Sequence, residues 1–285
     1  MSTIPYLLPG SLRWTGLIAK YVKFAKMGPR PTPFALADNG LAPTKLLKDM
    51  KTVYMAGTAQ RLADAYNVTR EEADEYALRS QTLANEAIKG GRFDIEIDPI
   101  EVPGRGFFTR DEHARKTSKE ALAGLKPVLG TKVITAGNAS GINDGACALV
   151  IASEAKTKEL GATPLAELVD SCTAGVDPEQ MGIGPVAAIQ KLLDRNGLTL
   201  ADIDLIELNE AFATQYLACE KLLGLDRSKV NVNGGAIALG HPIGVSGARL
   251  ILTLAHELKL RNKKLGIAAL CIGGGMGAAG LIERA

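Results

Sequence analysis

The sequence has 285 residues, of which 46% are apolar and 22% charged, and its formal net charge is +2. This length suits one large domain or two ordinary ones, and the small net charge gives no reason to expect a nucleic-acid partner. The cysteines are far apart and form no CxxC pair, which argues against a zinc site or a disulfide framework. Free thiols of this kind favour a reducing compartment, and we expect a cytoplasmic protein.

The first residues, Met1–Tyr6, lack a basic segment followed by an apolar one, so we expect no secretory signal. Between Leu12 and Met27 the sequence is amphipathic and basic. Such a stretch is either a surface helix with a solvated basic face, or a lid or interfacial helix that touches a membrane or partner. We favour the surface helix and expect neither membrane contact nor a membrane-spanning segment.

The next elements are better defined. Periodicity predicts a helix from Thr58 to about Tyr66. A second helix follows Thr69, which matches a capping box with Glu72, and it runs toward Ile88 before Gly90-Gly91 ends it. Alternation of apolar and acidic residues then predicts a strand over residues 95–102.

A short apolar run, Ala146–Ala152, predicts a buried strand, and Ser153 begins a helix that ends near Leu160. From Thr163 onward strands and helices alternate, which predicts a mixed sheet with helices on its faces and a closing hairpin. The predicted strands of this last region are Leu165–Cys172, Leu205–Leu208, Val230–Asn233, Leu265–Cys271 and Ala278–Glu283. The predicted helices between them are Pro185–Asn196, Phe212–Leu223 and Val245–Leu260.

Three polar side chains, Asn209, His241 and Cys271, each follow the end of a predicted strand. Ligands of such sheets bind at the carboxyl ends of strands, so we expect these side chains to converge. His241, between Gly240 and Pro242, is either a hydrogen-bonded turn histidine or a general base.

Cys271 precedes three glycines and is either a buried inert thiol or a group that transfers protons, or attacks as a nucleophile if a base lowers its pKa. The backbone over Gly273–Gly275 can present N–H donors to an oxyanion. Asn209 can cap a helix or orient a water or an imidazole. A glycine-rich loop, Thr135–Gly145, can cradle phosphate or an extended ligand.

Together the blocks Thr135–Gly145, Asn209–Phe212, Asn231–Gly247 and Cys271–Gly277 resemble those of the thiolases, in the same order. The resemblance covers essentially the whole chain. It implies a thiolase fold, with two similar βαβαβαββ halves and an inserted loop domain that holds coenzyme A. It also implies thiolysis of a 3-ketoacyl-CoA or the reverse condensation, with coenzyme A thioesters as substrates and without a further cofactor or a metal.

The resemblance implies roles for matching residues. His241 matches the histidine that activates the nucleophilic cysteine, and Cys271 matches the second cysteine, an acid and base at the acetyl carbon. Asn209 matches the asparagine that holds the water of one oxyanion hole, and the Gly273 N–H matches a donor of the other. Residues implied to contact coenzyme A are Ser140, near its pantetheine, Arg115, near its nucleotide, and Met55 in the loop domain.

The fold class is therefore α/β and thiolase-like. We assign residues 1–141 to the loop domain, 142–162 to the last strand and helix of an otherwise missing N-terminal half, and 163–285 to a complete C-terminal half. The strand at Ala146–Ala152 would then lack its sheet neighbours and form an exposed edge. The sequence Tyr54-Met55-Ala56-Gly57, with the basic stretch, is closer to thiolases of fatty-acid β-oxidation.

The nucleophilic cysteine of thiolases lies in a Cys-x-Ser-Gly turn, and these 285 residues contain no such turn. We therefore expect a separate N-terminal thiolase half as a partner, besides acyl-CoA, coenzyme A and further copies of the chain in a homo-oligomer. The alternative is an inactive thiolase fragment or a coenzyme A-binding scaffold. A weaker possibility is that Cys271 itself becomes the nucleophile, with His241 as its base.

Overall fold

The structure is a computed structural model and describes residues 55–285. Its first two helices are α1 (Met55–Ala65) and α2 (Arg70–Lys89). Helix α2 begins with the predicted capping box: the Glu72 N–H donates to Thr69 Oγ1 at 3.1 Å, and the Thr69 N–H donates to the Glu72 carboxylate at 2.8 Å. Gly90 ends it. Both helix predictions are confirmed. The basic stretch Leu12–Met27 and Tyr54 lie outside the described residues.

The segment after α2 differs from the predicted strand. Residues Arg92–Ile95 form a 3₁₀ turn, and only Ile100–Val102 is a strand, β1, paired antiparallel with β2 (Gly106–Phe108). The turn buries Phe93 and points Arg92 at the carboxylates of Glu96 and Glu257. These tertiary contacts outweigh the local alternation that predicted a strand over 95–102.

The predicted strand Ala146–Ala152 is also wrong. Its residues belong to no strand or bridge of the described structure, and Val150 and Ile151 are 98% and 77% exposed. A strand needs a neighbour for its N–H and C=O groups, and the described residues provide none here. After α3 (Lys119–Ala123), the next helix is α4 (Glu154–Glu159), which begins at the predicted Ser153 cap but buries no residue.

The predicted mixed sheet with a closing hairpin is confirmed. Its four strands lie in the order β3-β6-β5-β4, with β4 parallel to β5 and the other two pairings antiparallel. The strands are β3 (Ala166–Gly175), β4 (Leu205–Leu208), β5 (Leu265–Ile272) and β6 (Met276–Arg284). The helices between them are α5 (Gly184–Asn196), α6 (Ala213–Leu223), α7 (Ala236–Leu239) and α8 (Ser246–Leu260).

Helices cover both faces of this sheet. Along β5, Ile267 and Ala269 belong to the larger core, which contains Ile189 and Leu192 of α5, whereas Ala268 packs with the apolar side of α8. Alternation of this kind places α5 and α8 on opposite faces. The predicted strand Val230–Asn233 is reduced to two isolated bridges, Val230 with Ile206 and Val232 with Gly234. The first of them extends the sheet beyond β4 by a single residue.

None of the helices within residues 55–285 combines the length and the apolar character needed to cross a bilayer.

Candidate active site

The ends of two neighbouring parallel strands bring Asn209 and Cys271 to one edge of the sheet. Asn209 directly follows β4, and its N–H donates to the C=O of Ala269 in β5 at 2.9 Å. Cys271 lies two residues further along β5, where it pairs with Gly277 of β6. The two residues therefore lie at the same edge of the sheet, because parallel strands end on the same side.

His241 joins this edge from the loop between α7 and α8. Its Nε2 lies 3.4 Å from Asn209 Nδ2, and its Nδ1 lies 2.6 Å from Ser246 Oγ. The loop can turn here because Gly240 adopts a φ of 93°, which favours glycine. The Asn209 side chain therefore reaches an imidazole instead of capping a helix; Phe212 occupies the N-cap position of α6.

The imidazole of His241 is neutral at physiological pH. Burial of the ring lowers its pKa to about 4, and the positive charge of Arg249 acts in the same direction. A neutral imidazole has one nitrogen free to accept a proton, which is what a general base needs. A general base must be in this protonation state, while the lowered pKa also makes the imidazole a weaker base than a free one.

The thiol of Cys271 has the opposite tendency. Burial raises its pKa to about 11, so it is protonated at neutral pH. A protonated thiol is a poor nucleophile but can donate its proton. Among the described residues no hydrogen bond links the Cys271 thiol to His241, which disfavours the possibility that these two form a nucleophile–base pair.

The glycine turn after Cys271 packs closely against the segment between β3 and α5. Gly275 adopts a φ of 89°, and its C=O accepts a hydrogen bond from the Val176 N–H at 2.7 Å. At Gly184, the first residue of α5, a Cβ atom would overlap the C=O of Met276. This close approach fixes the turn that follows Cys271 and contains Gly273.

The glycine-rich loop Thr135–Gly145 lies directly beside the Asn209–Phe212 block. The Ser140 N–H donates to the C=O of Ala211 at 3.0 Å, and the C=O of Gly141 accepts from the His241 N–H at 3.2 Å. Ser140 is partly buried at this junction. Three of the four sequence blocks therefore meet through backbone hydrogen bonds.

The remaining candidates lie at helices α1 and α2. Arg115 is exposed, and its backbone is tied to α2, since its N–H donates to Gln81 Oε1 at 2.8 Å and its C=O accepts from Asn85 Nδ2 at 3.0 Å. Met55 is the partly buried first residue of α1. No contact recorded within residues 55–285 joins either of them to His241.

Sequence reasoning missed the residue that holds these elements together, Glu210. It is fully buried and accepts hydrogen bonds from Tyr76, Ser80, Asn231 and the Ile237 N–H at 2.7 to 3.1 Å. These donors belong to α2, to α7 and to the segment before α7. A signal was present: Glu210 is an acid at the end of an apolar strand, and Tyr76 and Ser80 lie one turn apart on α2.

A second buried carboxylate, Glu207, links β4 to α8. Its Oε2 lies 3.0 Å from Arg249 Nη1, and its side chain is 2% exposed. Burial raises the pKa of Glu207 to about 7, and the attraction to Arg249 only partly opposes this effect. Within the described part of the chain no three His, Cys, Asp or Glu side chains cluster as metal ligands would.

This arrangement, a neutral histidine, an asparagine and a protonated cysteine at one edge of a mixed α/β sheet, is typical of acyl-transfer enzymes. Comparison with protein families gives two matches: the thiolase C-terminal domain over residues 162–284 and the thiolase N-terminal domain over residues 27–155. The chain belongs to the thiolase family, which confirms the resemblance noted in its sequence.

Similar proteins agree with this assignment. An acetyl-CoA acetyltransferase of Cupriavidus necator is 46% identical over 294 residues, covering 100% of this chain and 70% of the relative. An acetyl-CoA acetyltransferase of Escherichia coli is 54% identical, covering 81% of this chain and 60% of the relative. The chain thus spans 60 to 70% of the length of these relatives.

Solved structures confirm the thiolase-like α/β fold. The crystal structure of the Bacillus anthracis acetyl-CoA acetyltransferase matches with a TM-score of 0.80 and 53% identity, covering 83% of this chain and 61% of that one. Human mitochondrial 3-ketoacyl-CoA thiolase in complex with CoA matches with a TM-score of 0.79 and 51% identity, covering 81% and 59%. The names of these proteins support the predicted class of function, thiolase-type acyl transfer.

Proposed function

We propose that this chain provides the general base, the second cysteine and the oxyanion-binding groups of a thiolase-type acyl transfer between acyl-CoA and coenzyme A. The observation that carries the proposal is the pair formed by the neutral His241 and Asn209, 3.4 Å apart, at the same sheet edge as Cys271. The reaction uses coenzyme A thioesters as substrates and needs no resident cofactor.

In this proposal His241 starts as a neutral imidazole, since its pKa is about 4, and takes the proton of an attacking cysteine thiol on its free ring nitrogen. The thiolate then attacks the keto carbon of a 3-ketoacyl-CoA. The C–C bond breaks, its electron pair passes to the departing acetyl-CoA enolate, and Cys271 donates its proton to that carbon. The raised pKa of Cys271 suits this step, since the thiol is protonated beforehand.

Two groups stabilise the negative oxygens formed along the way. Asn209 is 1% exposed, and its Oδ1 is buried without a hydrogen-bond partner in the described part of the chain, so it can hold a water at the first oxyanion site. The Gly273 N–H is our candidate donor for the second. Hydrogen-bond donors stabilise an oxyanion most strongly when their positions are fixed before the reaction. The closely packed turn after Cys271 meets that condition.

Coenzyme A is proposed to lie along the loop Thr135–Gly145, with Ser140 near its pantetheine and Arg115 near its nucleotide. Met55, at the start of α1, would line the loop-domain side. The support is positional: Ser140 sits where the loop docks beside Asn209, and Arg115 presents an exposed guanidinium on the same loop domain.

The nucleophile is proposed to come from a thiolase N-terminal segment outside these 285 residues. Of the chain's own thiols, Cys172 and Cys219 are buried and bonded to backbone C=O groups, and burial raises the pKa of both. The unpaired run Ala146–Ala152 supports such a partner, because it offers exposed apolar side chains and free backbone groups to a neighbouring strand.

Reconstitution tests the proposal. The chain is mixed or co-expressed with a thiolase N-terminal segment that carries a Cys-x-Ser-Gly turn, and thiolysis of 3-ketoacyl-CoA substrates of several chain lengths is measured. His241→Ala and Cys271→Ser should each lower kcat by roughly 10²–10⁴-fold. His256→Ala, which removes another partly buried imidazole from α8, should leave the rate within about twofold.

Activity absent with every chain length would overturn the proposal. Calorimetry with coenzyme A would then separate the alternatives: binding without turnover indicates a scaffold, and no binding indicates an inactive fragment. An acetylated Cys271, detected by mass spectrometry after incubation with acetyl-CoA, would instead make that thiol the nucleophile.

The wider setting is also part of this proposal. We infer a homo-oligomer, supported by the apolar side chains Leu168 and Val169, 53% and 41% exposed on the edge strand β3. We infer a cytoplasmic location from the unpaired thiols of the four cysteines. A role in fatty-acid β-oxidation rests on the loop-domain sequence, and a preference for medium-chain or long-chain over four-carbon substrates would support it.

A further inference from the structure

The first residue of α8, Ser246, makes hydrogen bonds that the start of a helix does not require. It is 2% exposed, and its Oγ lies 2.6 Å from His241 Nδ1 and 3.1 Å from the C=O of Pro242. A buried hydroxyl this close is hydrogen-bonded to the ring, and the direction of that bond decides which ring nitrogen carries the proton.

The protons of this group can be assigned by following each donor. The Ser246 hydroxyl has one hydrogen, so its two bonds are made together only if it donates to the Pro242 C=O and its oxygen accepts from His241 Nδ1–H. On the other side of the ring, Asn209 Nδ2 lies 3.4 Å from Nε2 and can only donate. A hydrogen on Nδ1 and a lone pair on Nε2 therefore satisfy all three of these contacts.

The opposite arrangement is less favourable. It would turn the Ser246 hydroxyl hydrogen from the Pro242 C=O to Nδ1, and it would rotate the Asn209 amide so that its oxygen accepts from an Nε2–H and its NH₂ group has no acceptor among the described residues. The oxygen is the atom without a partner in the present arrangement. A buried orphan N–H is rarer, and costs more, than a C=O that lacks a partner.

We propose that Ser246 is a positioning residue that holds the His241 ring in its Nδ1–H tautomer, with the Nε2 lone pair directed toward Asn209. The nitrogen that faces the candidate oxyanion site is then the one that accepts a proton. The consequence for rate rests on the proposed function, whereas the tautomer is a property of the chain itself.

The turn around Ser246 is fixed independently of its hydroxyl. The C=O of Pro242 also accepts from the Val245 N–H at 2.8 Å and from the Ser246 N–H at 3.0 Å. Removing the hydroxyl therefore leaves that C=O with two donors, and Ser246→Ala should fold. Ser246→Thr keeps the hydroxyl and serves as the conservative variant.

Nitrogen-15 NMR of the histidine rings tests the tautomer in this chain alone. The sequence has three histidines, and His241→Gln identifies the His241 signals by their loss. We expect a single Nδ1–H tautomer in the wild type and in Ser246→Thr, and a mixture of both tautomers in Ser246→Ala. Ser228→Ala, which removes a hydroxyl bonded to Asp226, should leave the spectrum unchanged.

A wild-type spectrum with the hydrogen on Nε2 would overturn the proposal, and so would an unchanged spectrum in Ser246→Ala. In the reconstituted enzyme Ser246→Ala should lower kcat by about 10-fold or more with KM unchanged, and Ser246→Thr should restore most of it. If reconstitution gives no activity, the proposed function fails while the NMR result still decides the role of Ser246. If Ser246→Ala does not fold, the wild-type and Ser246→Thr spectra decide it.

Discussion

Of two apolar runs with similar composition, one is buried in the sheet and the other is unpaired and exposed. The run in β5, Leu265–Ile272, pairs with β4 on one side and β6 on the other, and Ile267 within it is 0% exposed. The run Ala146–Ala152 pairs with nothing in the described structure, and Ile151 within it is 77% exposed. Both have the β-branched and small apolar residues typical of buried strands.

The difference shows that strand formation depends on neighbours. Backbone N–H and C=O groups of an extended segment are satisfied by another strand or by water, and only a neighbouring strand makes burial favourable. In β5 the neighbours are β4 and β6 of the same chain. The described residues provide no neighbour for Ala146–Ala152, so the same kind of sequence stays unpaired and exposed.

We expect the largest difference in the free energy of unfolding between two matched isoleucine truncations, one in each run. Ile267→Ala removes a fully buried side chain from the larger core and should lower the free energy of unfolding by about 2–5 kcal/mol. Ile151→Ala should change it by less than about 0.5 kcal/mol, because the side chain is already in water. Urea denaturation followed by circular dichroism measures both. Equal losses would show that the second run is packed in solution.

The same two runs show what the sequence can predict of the fold. Helices with an amphipathic period and a cap, such as α2 behind Thr69, form as predicted because their signals lie within one segment. The 3₁₀ turn at Arg92–Ile95 was not predictable, since it depends on Glu257, which is distant in sequence. The missing strand at Ala146–Ala152 likewise depends on a partner that the segment cannot reveal.

The candidate site was predictable to a similar extent. Glycine-flanked polar residues after strands pointed to Asn209, His241 and Cys271, and the structure brings the first two into hydrogen-bond range. Of the supporting residues, Glu210 had a signal in the sequence, an acid at the end of an apolar strand, whereas Ser246 had none because its function depends on a contact between elements. No pattern in the sequence distinguishes a serine that starts a helix from one that also touches an imidazole.

Buried and exposed groups also differ in how they make stability depend on pH, and Glu207 is a buried carboxylate that tests this. Burial raises its pKa from 4.5 to about 7, so the native state holds the proton more tightly than the unfolded state does. Protonated Glu207 therefore contributes its full share of the free energy of unfolding below pH 4.5. This contribution, up to about 3 kcal/mol, is lost as the pH rises toward 7.

Glu207→Gln should remove this decline, whereas Glu154→Gln on the exposed helix α4 should leave it in place. Urea midpoints between pH 4.5 and 7.5 measure the difference between the variants and the wild type. A wild-type decline that survives in Glu207→Gln would assign it to another group.

Two glycines test how tightly the hairpin of the paired sheet is held. Gly184→Ala would press a methyl group into the C=O of Met276 and should cost about 1–3 kcal/mol. Gly175→Ala is the matched control, since the nearest other atom to its Cβ would be 4.0 Å away, and it should cost less than about 0.5 kcal/mol. Thermal unfolding of both variants measures the loss of stability. Equal losses would contradict the close approach of Gly184 to Met276.

The smallest expected effect compares two helix caps. Thr69→Ala removes the side-chain cap of α2, whose buried face belongs to the core, and should cost about 1 kcal/mol of global stability. Ser153→Ala removes the equivalent bond from α4, which buries nothing, so α4 can fray without unfolding the sheet and the global cost should be near zero. Hydrogen exchange should show faster exchange confined to α4 in Ser153→Ala. If Ser153→Ala instead lowers global stability as much as Thr69→Ala does, α4 and the run before it are part of the cooperative core.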